Sequence, residues 1–252
     1  MAGLSFITLL AFDYRYAFNA IRSYYDIADE IILGLDADRI SWTGHPFYID
    51  LVQIQAFMQQ LDRSGKMRII EGDFHSLEKP MANETNERNE LSRHCAPGNW
   101  VVQIDSDEVL RNAAEFKHWL LATNPPGAVS AAWISVFKQF GDQALVISTS
   151  EITPVATRLR GQYVNARWTK EPSTTSPLQL LHHSWGRTPD EIKQKLQNWG
   201  HARDLDIDAF YKMWDSITLK NYQQVRNFHP LDGPRWPGLA QMIIAQRETP
   251  KP

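Results

Sequence analysis

The first half of the chain alternates short apolar segments with segments of helical character. Apolar runs rich in strand-forming residues predict buried strands at 4–11, 30–35, 67–70 and 101–104. The intervening segments with helical spacing or composition are 16–25, 49–61 and 83–94. This order predicts a parallel sheet with helices on both faces, and ligands bind such sheets at the carboxyl ends of the strands.

Acidic residues lie at the predicted ligand-binding edge of this sheet. Asp13 and Asp36 follow the first two strands, and three carboxylates within four residues, Asp105, Asp107 and Glu108, follow the fourth. Close carboxylates repel each other, and their burial is costly unless positive charge neutralises them. Two carboxylates one residue apart suit a hard divalent cation, Mg²⁺ or Mn²⁺. The alternative is a solvated loop in which Glu108 caps the next element.

The second half of the chain has a different pattern. The strands predicted there cover 128–140, 144–149, 154–165 and 178–184, the first two forming a hairpin about Gly141. A helix is predicted from Pro189 to about Ala202, because Thr188 suits the N-cap and acids occupy the first turn. The proline-rich tail after it is expected to be irregular.

Length and composition fit one large globular unit. The chain has 252 residues, of which 43% are hydrophobic and 22% charged. We expect a domain over 1–185, with halves of about 1–110 and 111–185, and a helical extension over 186–252 packed on the same domain. A net charge of −3 disfavours nucleic acid as a partner. Nine tryptophans are compatible with a carbohydrate ligand.

The expected location is the cytoplasm. No apolar run approaches the length of a transmembrane segment. The apolar N-terminus lacks a basic region and is interrupted by Asp13 and Arg15, so it is interpreted as a first strand and not as a signal peptide. The single cysteine, Cys95, excludes an internal disulfide and fits a reducing compartment.

Four segments in order resemble the glycosyltransferases of the GT-A fold that use nucleotide sugars, most closely the large family-2 group. The first segment is TLLAFDYRYAFNAIRSYYDIADEIILGLDAD, and the second, ETNERNELSRHCAPGNWVVQIDSDEVL, contains Arg88 and Asn89 where the family has an Arg-Asn pair. The third and fourth are VATRLRGQYVNARWTKE and LLHHSWGRTPDEIKQKLQNWGH. The resemblance covers roughly residues 4–203. It departs at LDADRISWTG, where many members have an acid followed by Gly-Ser-Thr-Asp.

The resemblance implies an α/β, Rossmann-like GT-A fold and a metal-dependent, hexosyltransferase-like enzyme, expected to invert. The implied donor is a UDP-, GDP- or dTDP-sugar, and the acceptor a glycan, a lipid-linked sugar or a small molecule. Synthesis of bacterial surface glycans is the commonest role in this family. The Gln-x-x-Arg-Trp motif of processive membrane synthases is not found.

The resemblance and the chemistry together give a predicted metal site. Asp107 is the first choice as a direct ligand of Mn²⁺ or Mg²⁺, and Asp105 would bind the ribose or the metal and its water. His183 is predicted as a third metal contact, because adjacent strand residues face opposite sides and only one of His182 and His183 can face the site. The alternative for His183 is a hydrogen-bonded core histidine.

Nucleotide contacts and a general base are also predicted. Asp13, Asp36 and Arg88 are the expected nucleotide or donor contacts, although Arg88 at helical spacing from Glu84 could simply pair with it. Glycosyl transfer with inversion needs a general base for the acceptor hydroxyl. Glu171 is the first candidate and Glu151 the second, against the alternative that Glu171 is a surface acid in a Pro/Ser/Thr loop.

Two other functions remain open at this point. A nucleotidyltransferase has a similar layout but usually carries a glycine-rich loop after its first strand, and the corresponding FDYRYAFN contains no glycine. A non-catalytic module could bind sugars or a partner through its aromatic residues.

Overall fold

The computed structural model describes residues 2–201 and 204–249, apart from the side chain of Arg247. The helices are α1 (Tyr14–Tyr24), α2 (Leu51–Leu61), α3 (Pro80–Arg93), α4 (Ala113–Thr123), α5 (Pro189–Asn198) and α6 (Ile207–Ser216). The strands are β1 (Leu4–Leu10), β2 (Glu30–Asp36), β3 (Met67–Gly72), β4 (Trp100–Gln103), β5 (Glu108–Leu110), β6 (Ala128–Phe140), β7 (Gln143–Ile147), β8 (Glu151–Thr157), β9 (Ser173–His182) and β10 (Leu239–Ile243).

The strands form one mixed sheet in the order β10-β7-β6-β8-β4-β1-β2-β3. The neighbours β4, β1, β2 and β3 run parallel, as the alternating sequence pattern predicts. Beyond β4 the sheet continues antiparallel through β8, β6, β7 and β10. Strand β9 runs parallel to β6 and antiparallel to β5. The α/β fold class is therefore confirmed.

Helices cover both faces of the parallel strands. Alternate residues of each strand point to opposite faces, so neighbouring apolar residues pack against different helices. Phe6 of β1 stacks on Tyr24 of α1 with ring centroids 4.3 Å apart. Ile7, the next residue, belongs to a separate buried cluster that contains Leu91 of α3. The carboxyl ends of β1, β2 and β4 lie at one edge of the sheet. The acidic residues Asp13, Asp36, Asp105 and Asp107 lie at this edge.

The C-terminal part adds a second core and a strand to the same sheet. Trp185, Trp214 and Trp236 are buried with Phe137 of β6 and Ile147 of β7. The tail predicted to be irregular contains β10, which pairs with β7. The predicted strand over 154–165 instead spans Glu151–Thr157. No helix among residues 2–201 and 204–249 has the length and hydropathy needed to cross a membrane.

Helix α5 begins where the sequence predicts. Thr188 accepts a hydrogen bond from the backbone N–H of Glu191, and the Glu191 carboxylate accepts one from the backbone N–H of Thr188. Pro189 is the first helical residue. The helix ends at Asn198, and the predicted end, Ala202, lies outside the described residues. This well-fixed start matters because α5 carries a lysine into the site.

Candidate functional site

A cavity of about 400 Å³ opens at the carboxyl ends of β1, β2 and β4. Its floor contains Asp13, Asp36, Asp105 and Asp107, and Glu151 also lines it, so five of the predicted site residues are brought together. Its walls carry many aromatic side chains, namely Trp42, Phe47, Phe74, Trp133, Trp168, Trp185, Trp199 and Trp236. A cavity of this size at a strand-end crevice is the usual place for a ligand in an α/β sheet.

Asp107 lies at the centre of a buried cluster of basic side chains. One of its carboxylate oxygens, Oδ2, accepts hydrogen bonds from Arg187 at 2.5 Å and from Lys195 at 2.9 Å. Its other oxygen lies 3.4 Å from Nε2 of His182. Arg187 also binds Asp13 at 2.7 Å, which links the loop after β1 to this cluster. Positive charge from the chain itself thus neutralises Asp107.

Asp105 is held in the same way by two arginines. Arg88 of α3 donates to both carboxylate oxygens, at 2.9 and 3.1 Å, and Arg167 lies 2.6 Å from Oδ2. Arg88 also pairs with Glu84 at 2.9 Å. The predicted pairing of Arg88 with Glu84 is therefore present, and its predicted donor contact gains no support because Arg88 lies behind Asp105 and not in the cavity wall.

The two aspartates are ionised. Burial alone would raise the pKa of Asp105, but the guanidinium groups of Arg167 and Arg88 lower it well below its usual range. Burial would likewise raise the pKa of Asp107, and Lys195, His182 and Arg187 lower it well below the ordinary value. Both carboxylates therefore stay negative and keep their basic partners at any physiological pH.

Glu108 is part of this cluster and does not act as a helix cap. It lies in β5, fully buried, and its Oε2 accepts the backbone N–H of Asp105 at 2.9 Å. Its Oε1 accepts from Arg167 at 2.8 Å and from the indole of Trp133 at 2.7 Å. Because Glu108 is part of β5 and binds the backbone of Asp105, strand β5 fixes the position of the acidic cluster, which is not a solvated loop.

The two adjacent histidines lie on opposite sides of the chain, as expected, but the one that faces the cavity is His182. Its ring stacks on Trp133 with centroids 4.2 Å apart and planes at 9°. His183 points away and its Nε2 lies 2.8 Å from the carbonyl of Glu248. Burial lowers the pKa of His183 to about 4. His183 is therefore a neutral core histidine: its backbone N–H binds the carbonyl of Asp107 at 2.8 Å, but its ring is turned away from the carboxylates.

The donor set around Asp105 and Asp107 does not fit the predicted divalent cation. The four carboxylate oxygens all face basic side chains, and His183 is turned away. Within residues 2–201 and 204–249, the one group of three potential ligands whose donor atoms converge is Asp36, Asp73 and His75, elsewhere at the edge. The assignment of Mn²⁺ or Mg²⁺ to this pair remains a prediction without geometric support.

Asp36 organises the loops around the cavity. Oδ1 accepts the backbone N–H groups of Asp38 and Ile40, and Oδ2 accepts from the backbone of Phe74 and lies 2.8 Å from Nδ1 of His75. These four donors occupy the acceptor capacity of a carboxylate. The Asp36 carboxylate therefore has no free acceptor for the predicted hydrogen bond to a nucleotide. Asp13 faces the cavity but is shared with Arg187 and Ser106.

A different acid, Glu87 of α3, lines the cavity close to Gly34 of β2. Its Oε2 accepts the indole N–H of Trp42 at 2.7 Å, and its side chain is 4% exposed. Burial raises the pKa of Glu87 to about 8. At neutral pH this side chain is mostly protonated and can donate a hydrogen bond to a ligand.

The two candidate bases lie in different places. Glu151 of β8 lines the cavity and pairs there with Arg235. Glu171, the first choice from the sequence, does not line the cavity and accepts from the Thr157 hydroxyl at 2.5 Å. Only Glu151 of the two therefore has access to a bound acceptor.

Several buried polar atoms at the cavity wall have no hydrogen-bond partner among the described residues. They are Nη1 of Arg167, Nδ1 of His182, Oδ1 of Asn198 and Nε1 of Trp236. Buried polar groups are almost always paired in proteins. The cavity-lining residues therefore carry unused donors and an unused acceptor, and such unpaired groups beside a cavity suit a polar ligand that carries both donors and acceptors.

The sequence reasoning missed the basic residues of the site. Lys195 lies on the buried stripe of α5 with Ile192 and Leu196, and a lysine on such a stripe is a signal that it has a buried partner. Arg187 and Arg167 lie in irregular segments without such a signal. Asn89 of the Arg-Asn pair donates to the backbone carbonyl of Tyr163 and accepts from its backbone N–H. These two hydrogen bonds fix the segment that leads to Arg167.

No known protein family and no curated protein matches this sequence. Among solved structures, a 4-diphosphocytidyl-2C-methyl-D-erythritol synthase from Anaerococcus prevotii is 13% identical with a TM-score of 0.40, covering 69% of this chain and 88% of that one. A structure named as a glucose-1-phosphate thymidylyltransferase from Bacillus anthracis is 11% identical with a TM-score of 0.35, covering 84% of this chain and 83% of that one.

A third structure, named as a mannose-1-phosphate geranyltransferase from Thermus thermophilus, is 8% identical with a TM-score of 0.29 and covers 62% of this chain and 56% of that one. These neighbours correspond to the nucleotidyltransferase alternative, and the GT-A glycosyltransferases are not confirmed as the family. Likeness this low carries no argument about function. The fold class follows from the strand order of this chain itself.

Proposed function

We propose that this chain transfers a glycosyl group from a nucleotide-diphosphate sugar to an acceptor hydroxyl in the cavity. The observation that carries the proposal is the set of unpartnered buried polar atoms in an aromatic-walled cavity at the strand ends. Sugars present hydroxyl groups that both donate and accept, together with apolar faces that pack on aromatic rings. Nucleotide sugars also carry a nucleobase and a diphosphate. Both can form hydrogen bonds or ion pairs with the acidic and basic side chains that line the cavity floor.

The chemistry of the transfer assigns a role to Glu151. The bond between the anomeric carbon and the diphosphate breaks, and its electron pair leaves on the phosphate oxygen. The acceptor oxygen forms the new bond to the anomeric carbon, and its proton must go to a base. Glu151 is a carboxylate in the cavity wall that can take this proton. The surrounding indoles exclude water, which would otherwise hydrolyse the donor.

Nucleotidyl transfer is the second candidate, and the loop after β1 counts against it. Only Ala11, Phe12 and Asp13 connect β1 to α1, and none is a glycine. A flexible glycine-rich loop whose backbone N–H groups surround a triphosphate has no room in a connection of this length. Two of the structural neighbours are named for nucleotidyl transfer, so the experiment below includes an outcome that would establish this reaction.

A ligand screen by thermal shift tests the proposal, because a ligand that binds the folded state raises the melting temperature. UDP, GDP, CDP and dTDP, their common sugars and the four nucleoside triphosphates are each compared at millimolar concentration. We expect stabilisation by one diphosphate and its sugar, followed by release of that diphosphate when acceptors are added. Pyrophosphate release from a triphosphate and a sugar 1-phosphate would establish nucleotidyl transfer instead, and no shift would favour the binding module.

Two substitutions on α5 locate the binding site in the same assay. Asn198→Ala removes the unpartnered acceptor of a cavity-lining residue and should weaken ligand binding by roughly tenfold, the value of one hydrogen bond. Gln197→Ala changes the adjacent, exposed residue of the same helix and should bind as the unmodified chain does. Equal binding by both variants would place the ligand elsewhere.

A further inference from the structure

The basic residues around the acidic pair form two layers. Arg88 and Arg187 lie behind Asp105 and Asp107 and do not line the cavity. Arg167 and Lys195 bind the same two acids from the front and do line it. Each aspartate is therefore shared between a rear arginine and a front cation.

We propose that Arg167 and Lys195, and not a divalent cation, neutralise the diphosphate of the donor. This inference rests on the proposed function and names how the same site binds its substrate. Their two positive charges equal the charge of the Mg²⁺ or Mn²⁺ ion that the acidic pair would otherwise hold. Asp105 and Asp107 are then positioning residues that orient the two cations.

Both front cations have hydrogen-bonding capacity left for phosphate oxygens. Nη1 of Arg167 is buried and has no partner among the described residues. Lys195 has three N–H donors, and the described residues offer it one acceptor within hydrogen-bond distance, Asp107 at 2.9 Å. An arginine presents a planar pair of donors that matches phosphate geometry, and a lysine adds a compact charge.

The rear arginines make this sharing possible. When a diphosphate attracts Arg167 and Lys195, Asp105 still has Arg88 at 2.9 Å and Asp107 still has Arg187 at 2.5 Å. Neither aspartate is left as an uncompensated buried charge, which would be costly. Glu108, which also binds Arg167, keeps the indole N–H of Trp133 and the backbone N–H of Asp105. A divalent cation, in contrast, would have to displace basic side chains from all four carboxylate oxygens before it could bind there.

The metal requirement of the unmodified chain is the primary test. The protein is dialysed against EDTA, and binding and turnover of the donor found in the ligand screen are measured with EDTA and with added Mn²⁺ or Mg²⁺. We expect turnover rates that agree within about twofold in all three conditions. A loss of 100-fold or more in EDTA, restored by the metal, would overturn the inference while leaving glycosyl transfer established. Absence of donor binding and turnover in every condition would overturn the proposed function itself.

Substitutions of α5 lysines give a second readout that does not depend on metal. Lys195→Met keeps the apolar stem and removes the charge, so it should weaken binding of the nucleoside diphosphate at least tenfold and leave binding of the nucleoside monophosphate within threefold. Lys195→Arg should recover most of the diphosphate affinity. Lys193→Met, on the exposed side of the same helix, should bind like the unmodified chain. Equal losses for mono- and diphosphate, with the fold intact by thermal melting, would contradict a diphosphate contact.

Discussion

Lys195 of α5 and Asp107 of the loop after β4 form a buried ion pair at 2.9 Å between residues 88 positions apart. Asp107 in turn binds Arg187, which precedes the N-cap of the same helix. The pair therefore joins the C-terminal extension to the edge of the parallel sheet where the ligand-binding cavity lies. Through this contact the folding of α5 and the geometry of the site depend on each other.

Asp107→Asn should destabilise the fold strongly. The substitution keeps the shape of the side chain but leaves Lys195 and part of Arg187 as buried charges without a counter-charge. Breaking a buried ion pair from one side typically costs about 3–5 kcal/mol. Urea denaturation should show that decrease in the free energy of unfolding. Asp190→Asn removes an exposed acid of the first helical turn and should lower the free energy of unfolding by less than about 1 kcal/mol. Equal midpoints for the two variants would contradict the structural role of Asp107.

Thr188→Ala should affect both stability and the site. The hydroxyl of Thr188 caps the first turn of α5, and losing an N-cap costs about 1 kcal/mol. The first turn leads directly to Lys195, so a frayed start should also lower donor affinity. Thr188→Ser retains the capping oxygen and should restore both properties. The measurements are urea denaturation and donor titration of the two variants; similar values for alanine and serine would show that the cap is unimportant.

The parallel half of the fold could be predicted closely from the sequence. The runs that become β1 and β2 are mostly apolar and are buried along nearly their whole length because helices cover both faces, and such runs are easily recognised in a sequence. The place of Asp105 and Asp107 at the strand-end edge follows from the same order of elements. The short strand β5 and the edge strand β10 were not predicted, because few of their residues form a recognisable pattern.

The partners of the acidic pair could not be predicted from the sequence. The basic groups that neutralise Asp107 come from Arg187 and Lys195, on the far side of β6 and β9 in the chain. Only the three-dimensional arrangement shows that basic side chains occupy these positions beside Asp107. The choice between His182 and His183 likewise depends on how β9 ends against β5.

Glu87→Gln should change how stability depends on pH. The folded-state pKa of about 8 lies above the ordinary value of 4.5, so the folded chain binds this proton more tightly than the unfolded chain. Stability from this group is present at low pH and is lost as pH rises from about 4.5 to about 8, by up to about 1.4 kcal/mol per pH unit. Glutamine remains neutral and can still accept from Trp42, so the variant should lose this slope.

Urea denaturation of the Glu87→Gln variant and the unmodified chain at several pH values between 5 and 9 measures this difference. The gain in stability of the variant should grow through this range and level off above about pH 8. Glu90→Gln alters a partly exposed acid on the same helix that pairs with Arg93, and it should follow the curve of the unmodified chain. A constant difference between Glu87→Gln and the unmodified chain would mean that Glu87 is ionised throughout.

Glu151→Gln should abolish most of the turnover if Glu151 accepts the proton of the acceptor hydroxyl. A positioned general base contributes about 10²- to 10⁴-fold to the rate, and an amide cannot take the proton. Donor affinity should stay within a few-fold, because the substitution preserves the size of the side chain in the cavity wall. Glu171→Gln is the matched control, since the carboxylate of Glu171 binds Thr157 outside the cavity. Steady-state kinetics on the folded variants separates the two: a larger loss of kcat for Glu171→Gln than for Glu151→Gln would return the role of base to Glu171.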